Sequence, residues 1–366
     1  MSAARRVLMA LAAPLIAVVA AMVITSLVVL ASQSSPAEFW TIIFEPPAPR
    51  VYVNIVNQSA MIFLSALAAA IGFQMNLFNI GVEGQYQMAS YAAAVFAGAA
   101  IFTGALNVVL TLVVAMAVGS MWAGIAGLLK VTRGVSEVIS TIMLNAIALT
   151  LTGYLLTTYG QKAGNSRRTS VIEQGSRLGG FAPFEERDGA IWTLVILAVV
   201  AGIAFSFVLN KTRFGFDLRA TGMSESAAVA SGVKVNRMVV VSMMLSGAIA
   251  GLIWMPAFFG AAYSYGTTFQ AGLGFTGIAV ALLVRNQPLG ILFGAVLFAF
   301  LNEQSNRLTL QSDISQNVVQ ITQGVIVLAV VVAYEVVRRR KVAAEQQAVR
   351  QKLESDTPAS GEAVHQ

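Results

Sequence analysis

An all-α polytopic membrane fold is what this sequence predicts, and three observations carry the expectation. Of its 366 residues, 57% are hydrophobic and only 11% charged, with a mean hydropathy of +0.74, so there is too little polar surface to coat a soluble globule. Apolar runs of about 20 residues recur, each long enough to cross roughly 30 Å of hydrocarbon as a helix, where a membrane barrel would show short alternating segments. Glycines and amides interrupt two of these runs, which predicts broken helices and an inverted repeat inside the bundle.

The first run, from Val7 to Ala31, follows Arg5 and Arg6. It outlasts the apolar core of a secretory signal and reads as an uncleaved anchor. Further spans are expected at 53–73, 85–102, 106–129, 138–159, 190–209, 238–259, 272–284, 288–301 and 318–337, which makes about ten transmembrane helices. With the N-terminus inside and every run crossing, sixteen of the 23 Lys and Arg residues fall on the cytoplasmic side, as the positive-inside rule requires. Both termini are therefore expected in the cytoplasm, with a transmembrane domain over 1–337. The net charge of +6 follows from this orientation and calls for no nucleic-acid partner. The tail, 338–366, opens with Arg338, Arg339, Arg340 and Lys341, suited to membrane-lipid headgroups, and from Gln351 onward its composition reads as disordered. No cysteine is present and the single histidine, His365, lies in that tail, so neither a disulfide framework nor a thiolate metal site is possible.

Between the second and third runs stands Asn79-Ile80-Gly81-Val82-Glu83-Gly84-Gln85-Tyr86-Gln87, a carboxylate between glycines at membrane depth. An ionisable residue there belongs in a protein-lined or water-filled pathway, not on the lipid face. The glycines allow a helix break that presents backbone to a solute. Three roles are open to Glu83: pairing with a base, accepting from solute hydroxyls, or capping free amides at a helix start. Capping is favoured by its place at the start of a span. Asn79 and Gln85 then become the expected solute contacts. Gly274-Phe275-Thr276-Gly277 interrupts a run of opposite direction, and the two clusters together predict a split solute site at the bilayer midplane.

Polar residues elsewhere sort by helical angle. Glu137, Thr141, Asn145 and Thr152 fall within about 80° on one helix face, and Gln58, Ser65 and Gly72 share a face of the second span. Such stripes must face protein or water. Asn145 and Gln58 are pathway candidates because each amide offers donor and acceptor together. Gly98, Gly119, Gly124 and Gly127 read instead as packing glycines between helices.

Two hydrophilic segments interrupt the apolar pattern. The outer one, 160–189, balances Arg167, Arg168, Arg177 and Arg187 against Glu173, Glu185, Glu186 and Asp188. It reads as a solvated periplasmic loop, or as a docking surface for an external protein. The inner one, 210–237, holds a short helix: Ser224 is a good N-cap, Glu225 suits the first-turn dipole, Ala227 and Ala228 favour helix, and Gly232 supplies the stop.

The spacing of Arg219, Gly222, Ala227, Ala228, Gly232 and Arg237 resembles the coupling-helix segment of bacterial ABC importer permeases. FNIGVEGQ (78–85), SGAIAGL (246–252) and GFTGIAVALL (274–283) resemble, more narrowly, the nucleoside and simple-sugar branch of the branched-chain amino acid and ribose permease family. The resemblance implies a type II ABC importer-like subunit of the bacterial inner membrane. In such systems ATP is hydrolysed by a separate cytoplasmic ATPase docked on the coupling helix. A second permease, identical or related, and a periplasmic or lipoprotein solute-binding protein complete the assembly. Residues 210–237 would then transmit ATPase closure to the spans after Arg237. No GxxxxGK[ST] phosphate loop occurs in the chain, and the chain itself calls for no cofactor. Trp254, Pro256 and Val284 depart from the family pattern, which bears on the identity of the solute. The competing reading is an ion-coupled secondary transporter, which also uses broken helices. It would need intramembrane carboxylates, for which only Glu83 and, near the edge, Glu137 are available, and it gives the cytoplasmic helix no purpose. With no nucleophile-and-base constellation, an enzyme is not expected.

Overall fold

A computed structural model describes residues 18–312, 314, 317–333, 336 and 339. The start of the predicted anchor and the predicted tail, Arg339 apart, lie outside the described residues. The chain divides into two compact units, one from its ends up to Trp40 and from Ser312, the other Thr41–Gln311. In the first, α1 (Val18–Ala31) is an apolar helix, and the Trp40 indole donates to Ser26 Oγ at 3.0 Å. A second apolar helix of this unit runs over Asn317–Ala333. Helix α2 (Pro36–Phe44) leads into the second unit.

The second unit is built around α3 (Pro49–Phe73), whose apolar window is 94% buried. Pro49 opens it, at a position where a missing N–H costs nothing. Next come α4 (Val82–Gly98), α5 (Gly104–Arg133) and α6 (Glu137–Tyr159). Gly134, at φ 66°, ends α5 in the left-handed conformation that glycine adopts freely. Lys130 in the last turn of α5 pairs with Glu137 at 2.6 Å, which fixes the short α5–α6 connection. After the segment 160–194, α7 (Val195–Lys211) meets α8 (Arg213–Met223) at a 72° bend. The Arg219 guanidinium donates to the Leu209 carbonyl inside this corner, and Thr212 caps α8 through the Gly215 amide at 3.1 Å. The short α9 (Glu225–Ala230) precedes α10 (Val235–Gly251), α11 (Met255–Ala257) and a π-helical turn over Phe258–Ala262. Helices α12 (Leu273–Leu283) and α13 (Pro288–Gln311) complete the unit.

Five helices among the described residues are long and apolar enough to cross a membrane, and the bent α7–α8 pair makes six. This is fewer than the ten expected. Two of the shortfalls have one cause: α4 with 17 residues and α12 with 11 begin inside the bundle, not at its surface. Helix α13 outruns its expected end at 301 because its polar turn is satisfied by neighbours. Asn54 donates to Glu303 at 3.2 Å, Gln304 Nε2 donates to the Ile43 and Glu45 carbonyls at 2.9 Å each, and Arg307 pairs with Glu45 at 3.2 Å.

Gly119, Gly124 and Gly127 pack between helices as expected, whereas Gly98 packs on the non-helical segment that follows α6. Gly119 of α5 and Gly247 of α10 touch through backbone alone: a Cβ on either would strike the other's carbonyl oxygen, and one on Gly251 would strike that of Ala115. Only small residues permit this approach, which membrane helices use in place of a hydrophobic driving force. Gly124 and Gly127 pack on Met244 and Met243, and Gly98 on Ser170.

The segment 160–194 is not a free loop. It carries two antiparallel ladders, β1 (Gln161–Ala163) with β2 (Ser166–Arg168) and β3 (Gly180–Phe181) with β4 (Ile191–Trp192). Backbone bonds stitch it to the chain after α11: Thr169 N to Tyr265 O and Ile172 N to Tyr263 O, both 2.9 Å, and Leu178 N to Phe259 O, 3.1 Å. Asn57 in α3 holds its far end, donating to Ala190 O at 3.0 Å and accepting from Trp192 N at 2.9 Å.

Candidate functional site

Contacts fix the helix directions. The strap 160–194 touches the first half of α3 at Asn57 and the end of α4 at Gly98, so α3 and α4 run oppositely. Ser65 of α3 donates to Leu273 O at 2.8 Å, and Gln74 beyond the end of α3 donates to Asn286 O at 3.3 Å. Helix α12 therefore runs with α3 and against α4. Yet the starts of α4 and α12 touch. Ser65 lies about 24 Å along α3 from Pro49 and about 12 Å short of Phe73, at 1.5 Å per residue, so the meeting point is inside the span.

Glu83 makes that junction. Its Oε1 accepts from Gly272 N at 2.7 Å and its Oε2 from Gly274 N at 2.9 Å. The first amides of a helix have no partner within it, and inside a membrane no water supplies one. The carboxylate of α4 thus caps α12, not its own helix. Gly274 is required by the approach itself, since a Cβ there would strike the backbone nitrogen of Glu83, and one on Gly277 would strike Ser65.

Helix α4 is capped from the opposite side. Asn145 of α6 accepts from Gly84 N at 2.8 Å and donates to Ile80 O at 2.9 Å, stapling both sides of the break. The stripe to which Asn145 belongs faces protein, with Glu137, Thr141 and Thr152 all buried. Replacing Asn145 by alanine strips two backbone groups of their partners, at about 2 kcal/mol. Lowered thermal stability in detergent is the expected result, with Asn145→Asp intermediate because it keeps the Gly84 bond; three identical melting curves would rule out the staple.

Asn79 and Gln85 are fully buried and engage each other. Asn79 Nδ2 donates to Gln85 Oε1 at 3.1 Å and to Ser246 Oγ at 2.8 Å; Asn79 Oδ1 accepts from Gln85 Nε2 at 2.9 Å and from Gly81 N at 3.0 Å. Ser246 in turn donates to Ala68 O at 2.6 Å. Little hydrogen-bonding capacity is left for a solute. Gln58, by contrast, is buried with its Oε1 unpartnered, and Phe275 is 52% exposed on α12.

Sequence reasoning missed an aromatic group beside the junction. Tyr86 stacks on Phe269 with centroids 5.2 Å apart, and Phe269 meets Tyr265 at 4.6 Å and Trp254 at 5.3 Å. The Tyr86 hydroxyl donates to Gln270 O at 2.6 Å, beside the Glu83 carboxylate at 3.3 Å. The signal in the sequence was the Tyr-rich stretch 263–269, placed between spans and so read as connection.

On the opposite face, α9 forms with the expected caps. Ser224 Oγ accepts from Ala227 N at 3.3 Å. Gly232 takes φ 85°, while its own amide and that of Val233 bond to Val229 O and Ala228 O at 2.9 and 3.0 Å, a Schellman ending. The expected Ala227–Ala228 face is divided: Ala228 is buried and Ala227 exposed with Glu225. The outward apolar residues are Met223, 84% exposed, and Val229. Arg219 is spent on the α7–α8 corner, and Gly222 on a contact with the turn after α3, at Gln74 and Met75.

Half-helices that meet head to head within a membrane bundle are an arrangement that transporters use to build solute sites. Residues 51–333 match the family described as branched-chain amino acid transport system, permease component, and the chain belongs to that family of ABC transporter permeases. It is 34% identical to the guanosine ABC transporter permease protein NupP of Bacillus subtilis, over 88% of this chain and 93% of that one. The nucleoside ABC transporter permease protein NupB of Lactococcus lactis is 28% identical over 88% and 90%. The glucose ABC transporter permease protein TsgB13 of Haloferax volcanii is 26% identical over 86% and 85%.

Proposed function

We propose that this chain is a membrane permease of an ATP-driven importer that carries a nucleoside, or a related sugar-containing solute, across the bacterial inner membrane. The observation that carries the reading is the Glu83 junction, where the first turn of one broken helix caps the start of the other inside the span. The guanosine and nucleoside permeases among its relatives favour a nucleoside over a free sugar, and the half-buried ring of Phe269, held by the buried Tyr86, Tyr265 and Trp254, suits a base that stacks. Gln58 and Phe275 face the solute, while Gly81, Glu83, Gly84, Asn145, Gly274 and Gly277 shape the pathway and the Asn79–Gln85 pair braces it. Both termini lie in the cytoplasm and the strap 160–194 lies outside, where a solute-binding protein docks. A cytoplasmic ATPase, which hydrolyses the ATP, seats on Met223, Ser224, Glu225, Ala227 and Val229. A second permease completes the transporter.

Co-reconstituted with these partners in liposomes, the chain is expected to support ATP-dependent uptake of guanosine, with glucose as the competing probe. Uptake by this chain alone under an ion gradient, without ATP, would overturn the proposal.

A further inference from the structure

The geometry points to Asn76 as the positioning residue that links the cytoplasmic segment 212–234 to the Glu83 junction. This rests on reading that segment as the seat of the ATPase. Asn76 takes a left-handed φ of 55° and its Nδ2 donates to Gly222 O at 2.5 Å, across 146 positions of sequence. Gly222 lies so close to the same turn that a Cβ on it would strike the Gln74 carbonyl oxygen. The end of α8 is therefore seated directly on the turn that leaves α3.

That turn is stiff. Met75 N and Leu77 N both bond to Gly72 O at 3.0 Å, and Asn76 N to Phe73 O at 3.1 Å. Three residues past Asn76 stands Asn79, pinned to Gln85, Gly81 and Ser246. Four further on, Glu83 holds Gly272 and Gly274. A displacement of α8 thus reaches the start of α12 through side-chain and backbone bonds that touch α10 only at Ser246.

The alternative route, expected from the sequence, runs through Arg237 into α10. Helix α10 is joined to α5 by backbone contact at Gly119, Gly247 and Gly251, so moving it means moving both helices or breaking a dry seam. The Asn76 bond is exposed and made by a single amide, and such a bond exchanges readily with water. A single exposed bond that breaks and re-forms is what a reversible link needs.

Two variants attack the contact from opposite sides. Asn76→Gly keeps the left-handed turn and removes the donor; Gly222→Ala forces the chains apart. In liposomes holding the complete transporter, guanosine taken up per ATP hydrolysed is expected to fall about tenfold in each, as loss of one such bond would give. ATPase co-purification and hydrolysis are expected to persist. An unchanged ratio in either folded variant overturns the inference, and so does loss of the ATPase on purification, which would make the contact one of assembly. Failure of the unmodified transporter to take up guanosine with ATP would instead overturn the functional reading.

Discussion

Glu83→Ala is expected to reduce ATP-driven uptake by at least about a hundredfold and to lower the thermal stability of the detergent-solubilised chain. The substitution leaves the Gly272 and Gly274 amides without their acceptor at the start of α12, at about 1–3 kcal/mol for each. Glu83→Gln keeps one accepting oxygen but turns an N–H₂ toward an amide donor, so an intermediate loss is expected. The two readouts separate the possible roles. A cap shifts the melting temperature and the maximal rate together. An unchanged melting temperature with a raised half-saturation concentration for guanosine would mean that Glu83 works on the solute, and would sink the cap.

Gly247→Val is expected to abolish recovery of folded protein. A valine side chain at this position drives its Cβ into the Gly119 carbonyl and Ala123, and adds two γ-carbons to the same crowded contact. Overpacking of this kind costs about 3 kcal/mol, and backbone on the facing helix cannot yield as a side chain can. Gly247→Ala carries both Cβ clashes but no γ-carbons, and should lose less. Size-exclusion profiles in detergent check both: a monodisperse Gly247→Val variant at wild-type yield would refute the backbone seam between α5 and α10.

The helical membrane class was legible because burying apolar length in lipid leaves its mark on every stretch of the chain. Helix ends were legible where a single residue decides them, as at Ser224 and Gly232. The end of α13 was not, because Glu303, Gln304 and Arg307 look like an exit from the membrane until Asn54, Glu45 and the Ile43 carbonyl are beside them. At the site, the sequence pointed to Glu83 and to the glycine clusters, and to capping as the role. Which helix receives the cap depends on a contact across nearly 190 positions, and no local pattern encodes it. The mutual pairing of Asn79 with Gln85 was hidden in a different way: an amide shows what it can bond, and only the fold shows whether that capacity is spent.

Two helices that point their N-termini at one spot bring about half a positive charge each, and one carboxylate lies between them. The three contributions come to about zero. On the proposed path, a phosphorylated solute would find no surplus positive field at this junction, and a metal cation no surplus negative one. Charge selectivity in this permease would then come from a balanced centre, one that admits uncharged solutes because it offers ions nothing.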